Sequence, residues 1–335
     1  MKNKWKLLFI LSLSLFAVFA GCSNQSKNTT EKKDLKKVTI VLDWTPNTNH
    51  TGLYVAKAKG YFKKQGLDVK IVQPSDGDAS SIVASSKADF GISAQDTLAA
   101  NYASKKPLPI TAVAAILQHN TSGIMSRKGD GIDRPKGLEG KTYATWDSPI
   151  EKAMIKNVME QDGGDYSKLK MIPNNIVDEP KALKEKQADA IWVFYGWGGV
   201  SAQLEKVPVD YFYFKDLNST FDYYTPVIIS NNDFLKKNPD TAKKFMKATS
   251  EGYNYAVDHP KSAADILVKE VPETDSKLAQ ASQKWISKQY KAEESRWGYI
   301  DPQRWNSFYN WLDDSKLIKN KIPSNTGFTN KYLPE

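Results

Sequence analysis

Between Val38 and about Ile116 the chain alternates short apolar runs with segments of helical spacing: VTIVL, GLYVAKAKGYFKKQ, LDVKIVQ, DASSIVASSK, ADFGIS, QDTLAANYAS and PITAVAAI. That order, βαβαβαβ, leaves few folds open, because strands separated by helices pair in parallel and need helices over the faces of their sheet. A second series begins near Gly140 with KTYAT, PIEKAMIKNVMEQ, KLKMIP, DEPKALKEKQ and ADAIWVF. SSIVASSKADFGIS and PKALKEKQADAIWVF run alike, as helix, basic residue, Ala-Asp and apolar strand. After YTPVIIS at 224–230 the pattern turns helical, with NNDFLKKNPDTAKKFMKATSEGYNYAVDHP and SKLAQASQKWISKQY as amphipathic stretches. The pattern predicts a bilobal α/β chain: two mixed sheets flanked by helices and a helical C-terminal third. Residues 38–125 with 229–335 are expected to form one lobe, and 126–228 the other.

The first 21 residues read as a signal peptide. Lys2, Lys4 and Lys6 precede an apolar core from Leu7 to Ala20 and a small-residue end before Cys22. The run is shorter than the about 20 apolar residues of a spanning helix. FAGC followed by SNQSKNTTEKK resembles a bacterial lipoprotein signal, which makes Cys22 the expected lipidation point and 22–37 a polar leash on the outer face of the cell membrane. As the only cysteine, Cys22 forms no internal disulfide and no thiolate metal cluster. Cleavage would remove three lysines and no acids, taking the formal charge from +9 to +6. The lysines are interspersed with acids, as in FLKKNPDTAKKF, so they read as a solvated surface and nucleic acid is not an expected partner.

No H-E-x-x-H, C-x-x-C, G-x-G-x-x-G, Walker or G-x-S-x-G pattern occurs, so neither a metal nor a cofactor is implied. Of the three histidines, His259 reads as a surface residue and His119 as a loop or cleft residue. What remains is aromatic density at strand ends. LDWTPNTNHTG should deliver Trp44, Asn47 and His50 to the mouth of a cleft, with Thr51 as a helix N-cap, because ligands of α/β sheets sit beyond the carboxyl ends of strands. TYATWDSP offers Trp146, Asp147 and Ser148, IWVFYGWGGV offers Tyr195 and Trp197, and STFDYYTP offers Tyr223 and Tyr224. Ser93 and Gln95, at the end of ADFGIS, complete the candidate contacts. Flat rings facing each other across a cleft suit a small planar heteroaromatic ligand, since offset stacking adds roughly 0.5–1.5 kcal/mol beyond area burial.

LDWTPNTNHTGLYVAKAKGYFKKQGLDVKIVQP, SKADFGISAQDTLAA, KGLEGKTYATW and NNDFLKKNPDTAKKFMKA together resemble the thiamine-precursor family of periplasmic-type binding proteins over nearly the whole chain beyond the leader. The resemblance implies a type II-like periplasmic-binding-protein fold and a lipid-anchored, non-enzymatic receptor. Such a receptor delivers formylaminopyrimidine or hydroxymethylpyrimidine to an ABC permease. The same fold includes a eukaryotic branch that makes hydroxymethylpyrimidine phosphate from pyridoxal phosphate and its own histidine, with iron. That branch's lysine falls at Ser93 and its histidine near Asp96. Its phosphate turn corresponds to Trp146, Asp147, Ser148 and Pro149, and its cysteine run to Thr220–Tyr224, so its parts are missing here. The family's acid in the YGW turn is replaced by Gly198, which leaves Asp43, Asn47, Asp147, Glu151 or Asp222 to meet an aminopyrimidine edge. Another planar ligand or a sulfonate is the alternative, although the candidate loops show no lysine or arginine beside Asp43, Asp147 and Asp222.

Overall fold

The computed structural model describes residues 34–74 and 78–335. The signal peptide, Cys22 and the leash as far as residue 33 lie outside the described residues. Ten strands form two five-stranded sheets. In the first, β1 (Lys36–Val41), β2 (Leu67–Val72) and β3 (Phe90–Ser93) run parallel. There β10 (Val227–Asn231) lies antiparallel between β3 and β4 (Ile110–Ala115), giving the order β2-β1-β3-β10-β4. In the second, β6 (Thr142–Thr145), β7 (Lys170–Pro173) and β8 (Ala190–Phe194) are parallel. There β5 (Ser122–Arg127) lies antiparallel between β8 and β9 (Val209–Tyr213), giving β7-β6-β8-β5-β9.

The two sheets share one construction: three parallel strands, then one antiparallel strand that has just crossed from the other sheet. These are the two mixed sheets expected from the alternating patterns. The crossovers themselves fall elsewhere than expected. The boundary drawn after 125 cuts β5, which pairs with β8 and β9 from Ser122 onward, and the one drawn after 228 cuts β10, which pairs with β3 from Val227. Both strands are buried almost throughout and mix apolar with polar residues, so their hydropathy carries no mark of the change of sheet. The leash drawn to residue 37 also ends early, because Lys36 and Lys37 already pair with Leu67 and Asp68 in β1.

Beyond β10 come the helices Asn232–Lys237, Pro239–Asp258, Pro260–Glu270, Ser276–Ile286 and Pro302–Asp314. Three of them open on proline, whose missing N–H costs nothing in a first turn. They build the core over the first sheet. Phe90 stacks on Phe245 at 4.0 Å and Phe245 on Phe62 at 5.3 Å, while Tyr253 stacks on Trp297 at 4.2 Å. The helix Thr51–Ala58 reaches Pro239–Asp258 through Gly52 and Gly252. A Cβ on Gly252 would stand 2.0 Å from the Gly52 carbonyl oxygen, so the helices approach this closely only because both residues lack one. In β8, side-chain alternation divides the apolar run as its pleat requires: Trp192 enters one core with Phe214, and Ile191 and Val193 enter another with Met125 and Leu183. Among the described residues no helix is long and apolar enough to cross a membrane.

Candidate functional site

Register places the strand ends together. Val227 of β10 pairs with Ser93 and with Ala115, the last residues of β3 and β4, while Ser122 of β5 pairs with Phe194, the last of β8. Both crossovers, 116–121 and 214–226, therefore join the carboxyl ends of the parallel strands of one sheet to those of the other. The crossovers bond to each other, as Asn120 Nδ2 donates to the Phe221 carbonyl at 2.9 Å and Asp222 accepts from the Asn120 N–H at 2.9 Å. The turns after β1, β3, β6 and β8 thus border one cleft.

The three most exposed aromatic side chains among the described residues all stand at these strand ends. Trp44 follows β1 and is 56% exposed, Trp146 follows β6 and is 51% exposed, and Phe194 ends β8 at 39%. Burial of such a side chain is worth roughly 1.5–3 kcal/mol, so these three, left open at strand ends that border the cleft, are candidates for contact with a ligand. Trp146 rests on Trp192, centroid to centroid 5.8 Å, whose own indole N–H is buried without an acceptor.

The loop after β1 spends most of its polar groups on its own shape. His50 is fully buried; its Nδ1 accepts from the Asn47 N–H at 3.1 Å, which leaves Nε2 to donate to Asp43 Oδ1 at 2.8 Å. Asn47, also buried, accepts from the Asn49 N–H and donates to the Thr45 carbonyl. The helix start is accordingly organised by Asn47 and His50, and Thr51 lies one residue inside it. Asn47 and His50 support the loop, and the group they present is the Asp43 carboxylate, 36% exposed. Burial pushes the Asp43 pKa up, but the hydrogen bond from His50, with the N–H groups of Asp43 and Trp44, outweighs it and holds the carboxyl below its ordinary value.

Other candidates are also locked. Gln95 is fully buried; its Nε2 donates to the Trp305 carbonyl at 2.8 Å and its Oε1 accepts from the Tyr224 N–H at 2.9 Å. Tyr224 is buried beside Trp305, and its hydroxyl accepts from the Asp301 N–H. Ser93 meets Ser80 at 3.3 Å. Tyr195 packs against Tyr211, Tyr213 and Trp285 at 5.0, 5.6 and 5.2 Å, while Trp197 is half-buried in the tight turn Tyr195–Gly199. A Cβ at Gly198 would point at Val193, 3.1 Å away, so an acid there would aim toward the core of the second sheet.

The remaining acids divide. Glu151 is buried and accepts from Tyr143 Oη at 2.5 Å, Thr145 Oγ1 at 2.9 Å and the N–H groups of Trp146 and Ser148. Asp222 is held by His119 at 2.6 Å and by Arg304 at 3.7 Å, and Asp147 pairs with Lys152. The expectation that no cation stands beside Asp147 and Asp222 is therefore corrected: Lys152 is one helical turn downstream, and Arg304 comes from the C-terminal helix. Of the candidate acids Asp43, Asp147, Glu151 and Asp222, only Asp43 combines partial exposure with the absence of a lysine or arginine partner among the described residues. Its prominence follows from the burial of His50 behind it. Phe194 shares a strand face with the buried Trp192 by alternation, and stands exposed because β8 ends at it.

A cavity of 840 Å³ opens beside these loops. Its walls come from Asp96, Thr97 and Ala100 on one side and from Ser148, Pro149 and Ile150 on the other, closed by residues 317–320. Burial pushes the Asp96 carboxyl above its ordinary value. Trp44, Trp146, Tyr195 and Trp197 do not line it. Among the described residues no cluster of His, Cys, Asp and Glu could hold a metal ion.

The chain is 26% identical to the formylaminopyrimidine-binding protein of Halalkalibacterium halodurans, covering 96% of this chain and 97% of that one. It is also 26% identical to a 4-amino-5-hydroxymethyl-2-methylpyrimidine phosphate synthase of Saccharomyces cerevisiae, over 89% and 88% of the two chains. Its fold matches that of the periplasmic aliphatic sulphonate binding protein SsuA of Escherichia coli with a TM-score of 0.67 at 13% identity, covering 90% and 94% of the two chains. The family model described as NMT1/THI5 like matches residues 47–263. This chain therefore belongs to the NMT1/THI5-like family.

Proposed function

We propose that this protein is the extracytoplasmic substrate-binding component of an ABC importer and that it carries a thiamine-precursor aminopyrimidine in the cleft between its two sheets. The observation that carries the reading is that Trp44, Trp146 and Phe194 stand exposed at the cleft ends of β1, β6 and β8, with the ionised Asp43 next to Trp44 in the same loop. Trp44 and Trp146, one from each sheet, offer flat faces to a heteroaromatic ring. The Asp43 carboxylate accepts from the ring's exocyclic amine, as an acceptor-only group should. His50 fixes the carboxylate's orientation from behind. A pyrimidine carrier among the curated relatives supports the same reading.

Binding is favoured over synthesis by the side chains that occupy the synthase positions. By the resemblance, that branch's lysine falls at Ser93 and its histidine near Asp96, and Thr220 to Tyr224, which correspond to its cysteine run, contain no sulfur. The expected lipid at Cys22 belongs to this reading as the tether that keeps the receptor at the outer membrane face.

Calorimetry on the purified chain tests it. Formylaminopyrimidine or hydroxymethylpyrimidine should bind, and an aliphatic sulfonate should not. Asp43→Asn keeps the His50 contact but removes the charge. Since hydrogen bonds to charged groups are worth about 1.5–3 kcal/mol, it should weaken binding by roughly 10- to 150-fold. No heat with any pyrimidine, or an Asp43→Asn variant that binds as tightly as its parent, rejects the proposal.

A further inference from the structure

We propose that the groove between the outer face of the helix Ser276–Ile286 and the short helix Val200–Leu204 docks an acidic, partly apolar segment of the membrane permease, and that it is complete only while the two sheets are tied together at the cleft. The proposal rests on the substrate-delivery reading above. The groove consists of two adjoining depressions of 700 and 360 Å³ that share Leu204, Ala281 and Lys284. Its floor is apolar, with Leu204 44% exposed beside Ala281 and Trp285. Lysines 277, 284 and 288 form the rim, and no acidic residue lines either depression. Lys277, Ala281 and Lys284 recur at i, i+4 and i+7, which makes one outward stripe of the helix. Nearby Lys261 is paired with Asp265 at 3.3 Å, whereas the ion pairs among the described residues do not include the three rim lysines. An apolar floor inside a ring of free ammonium groups complements a segment that carries carboxylates around apolar side chains.

The inner face of the same helix joins the two cleft loops. Ser282 is fully buried and its hydroxyl donates to the Gly196 carbonyl in the turn after β8. Its single proton being used there, it accepts from Thr48 Oγ1, 2.6 Å away in the loop after β1. Trp285 packs on Tyr195 at 5.2 Å. The helix that ends in Leu204 follows this turn directly, and Ala281 and Lys284 lie within two residues of Ser282, so a movement that breaks the Thr48–Ser282–Gly196 chain also parts the walls of the groove. A partner seated in it reads the tied state of the cleft.

The test uses cells that import labelled hydroxymethylpyrimidine through this protein. K277E/K284E/K288E should lower uptake at least tenfold while the purified variant binds the pyrimidine within twofold of its parent, and K277R/K284R/K288R should preserve uptake. Undiminished uptake by the glutamate variant overturns the proposal. Failure of the parent chain to bind pyrimidine would instead refute the delivery reading. The groove is then judged by a benzophenone side chain installed at Ala281 in intact cells: a cross-link to an acidic peptide of a polytopic membrane protein, identified by sequencing, upholds it, and no such cross-link overturns it. Cosedimentation with phosphatidylglycerol vesicles that the glutamate variant loses would assign the groove to lipid and also overturn it. Ser282→Ala should reduce uptake; full uptake by that variant refutes the link to the cleft.

Discussion

Removal of the Gln95 side chain gives the sharpest separation between a ligand contact and a structural lock. Its amide joins three segments far apart in sequence: the turn after β3, the strap before β10 and the C-terminal helix Pro302–Asp314. In Gln95→Ala the Tyr224 N–H loses its partner in a fully buried setting, at about 1–3 kcal/mol, while the Trp305 carbonyl keeps its place in the helix ladder and loses only a second bond, worth about 0.5–1.5 kcal/mol. The backbone bond from Gln95 N–H to the Tyr224 carbonyl and the Tyr309 hydroxyl on the Gln95 carbonyl survive, so the sum is about 2–4 kcal/mol. Against a total stability of about 5–15 kcal/mol, that is a large shift of the urea midpoint, readable by tryptophan fluorescence. Pyrimidine affinity measured by calorimetry on the folded variant should stay within a few-fold, because neither polar atom of the amide is free. A Gln95→Ala variant of unchanged midpoint with tenfold weaker binding would refute the reasoning and make Gln95 a contact. Gln95→Glu adds a test of sign. One carboxyl oxygen still accepts from Tyr224, but the other faces the Trp305 carbonyl and needs a proton there, so the folded-state pKa is raised above the ordinary glutamate value of about 4.3. Its stability should approach the parent's below about pH 4.3 and fall as pH rises through the raised folded pKa.

Three further outcomes follow from other sites. Gly199→Ala would set a Cβ 2.6 Å from the Tyr195 ring, so overpacking should cost about 1–3 kcal/mol and change the near-UV circular dichroism of the Tyr195–Tyr211–Tyr213 cluster. Glu151→Gln turns one acceptor oxygen into a donor among four converging donors and should lower the urea midpoint by an amount equivalent to about 1.5–3 kcal/mol. At the crossovers, the hydrogen bond to Asp222 and then that to Glu293 raise the His119 pKa above 6.5 despite partial burial. For Glu293, burial acts upward but His119 and Arg304 bring the net below 4.5. A raised histidine stabilises below 6.5 and loses its contribution as pH climbs through the folded pKa, while a lowered glutamate stabilises above 4.5 and loses it as pH falls. The cluster should therefore support stability most between pH 4.5 and 6.5, and His119→Gln should flatten the alkaline limb of a urea-midpoint profile.

The parts of this fold that were legible in the sequence are those set by local periodicity. VTIVL and ADFGIS declare strands, and QDTLAANYAS declares a helix, because each pattern needs only its own neighbours. The change of sheet at Ser122 and Val227 left no such mark. Asn47 and His50 were legible as polar residues at a strand end, but their direction was not. The same residue types present themselves to a ligand or to their own loop, and here a bond across seven positions to Asp43 and one across three to the Asn47 N–H decide it. Gln95 is decided by Trp305, 210 positions away, and Asp222 by His119 at a separation of 103. Exposure of Trp44 and Trp146 was the inference that needed least long-range information, since both sit where a parallel strand has ended and its covering helix has not begun.

These assignments together narrow what the cleft reads. The loop after β1 has one free carboxylate and one free indole, since its amide and imidazole are consumed in holding them. Groups fixed in this way lose little entropy on binding, which favours a small rigid ligand with few contacts. The opposite loops add the faces of Trp146 and Phe194, and their acids, Glu151 and Asp147, are already paired. A ring with one amino edge meets every free group in this set, whereas a sulfonate would meet two indoles, a phenyl ring and an uncompensated negative charge. Likeness to the sulphonate binder SsuA is a likeness of scaffold, and under the proposed function the side chains at the strand ends carry the choice of ligand.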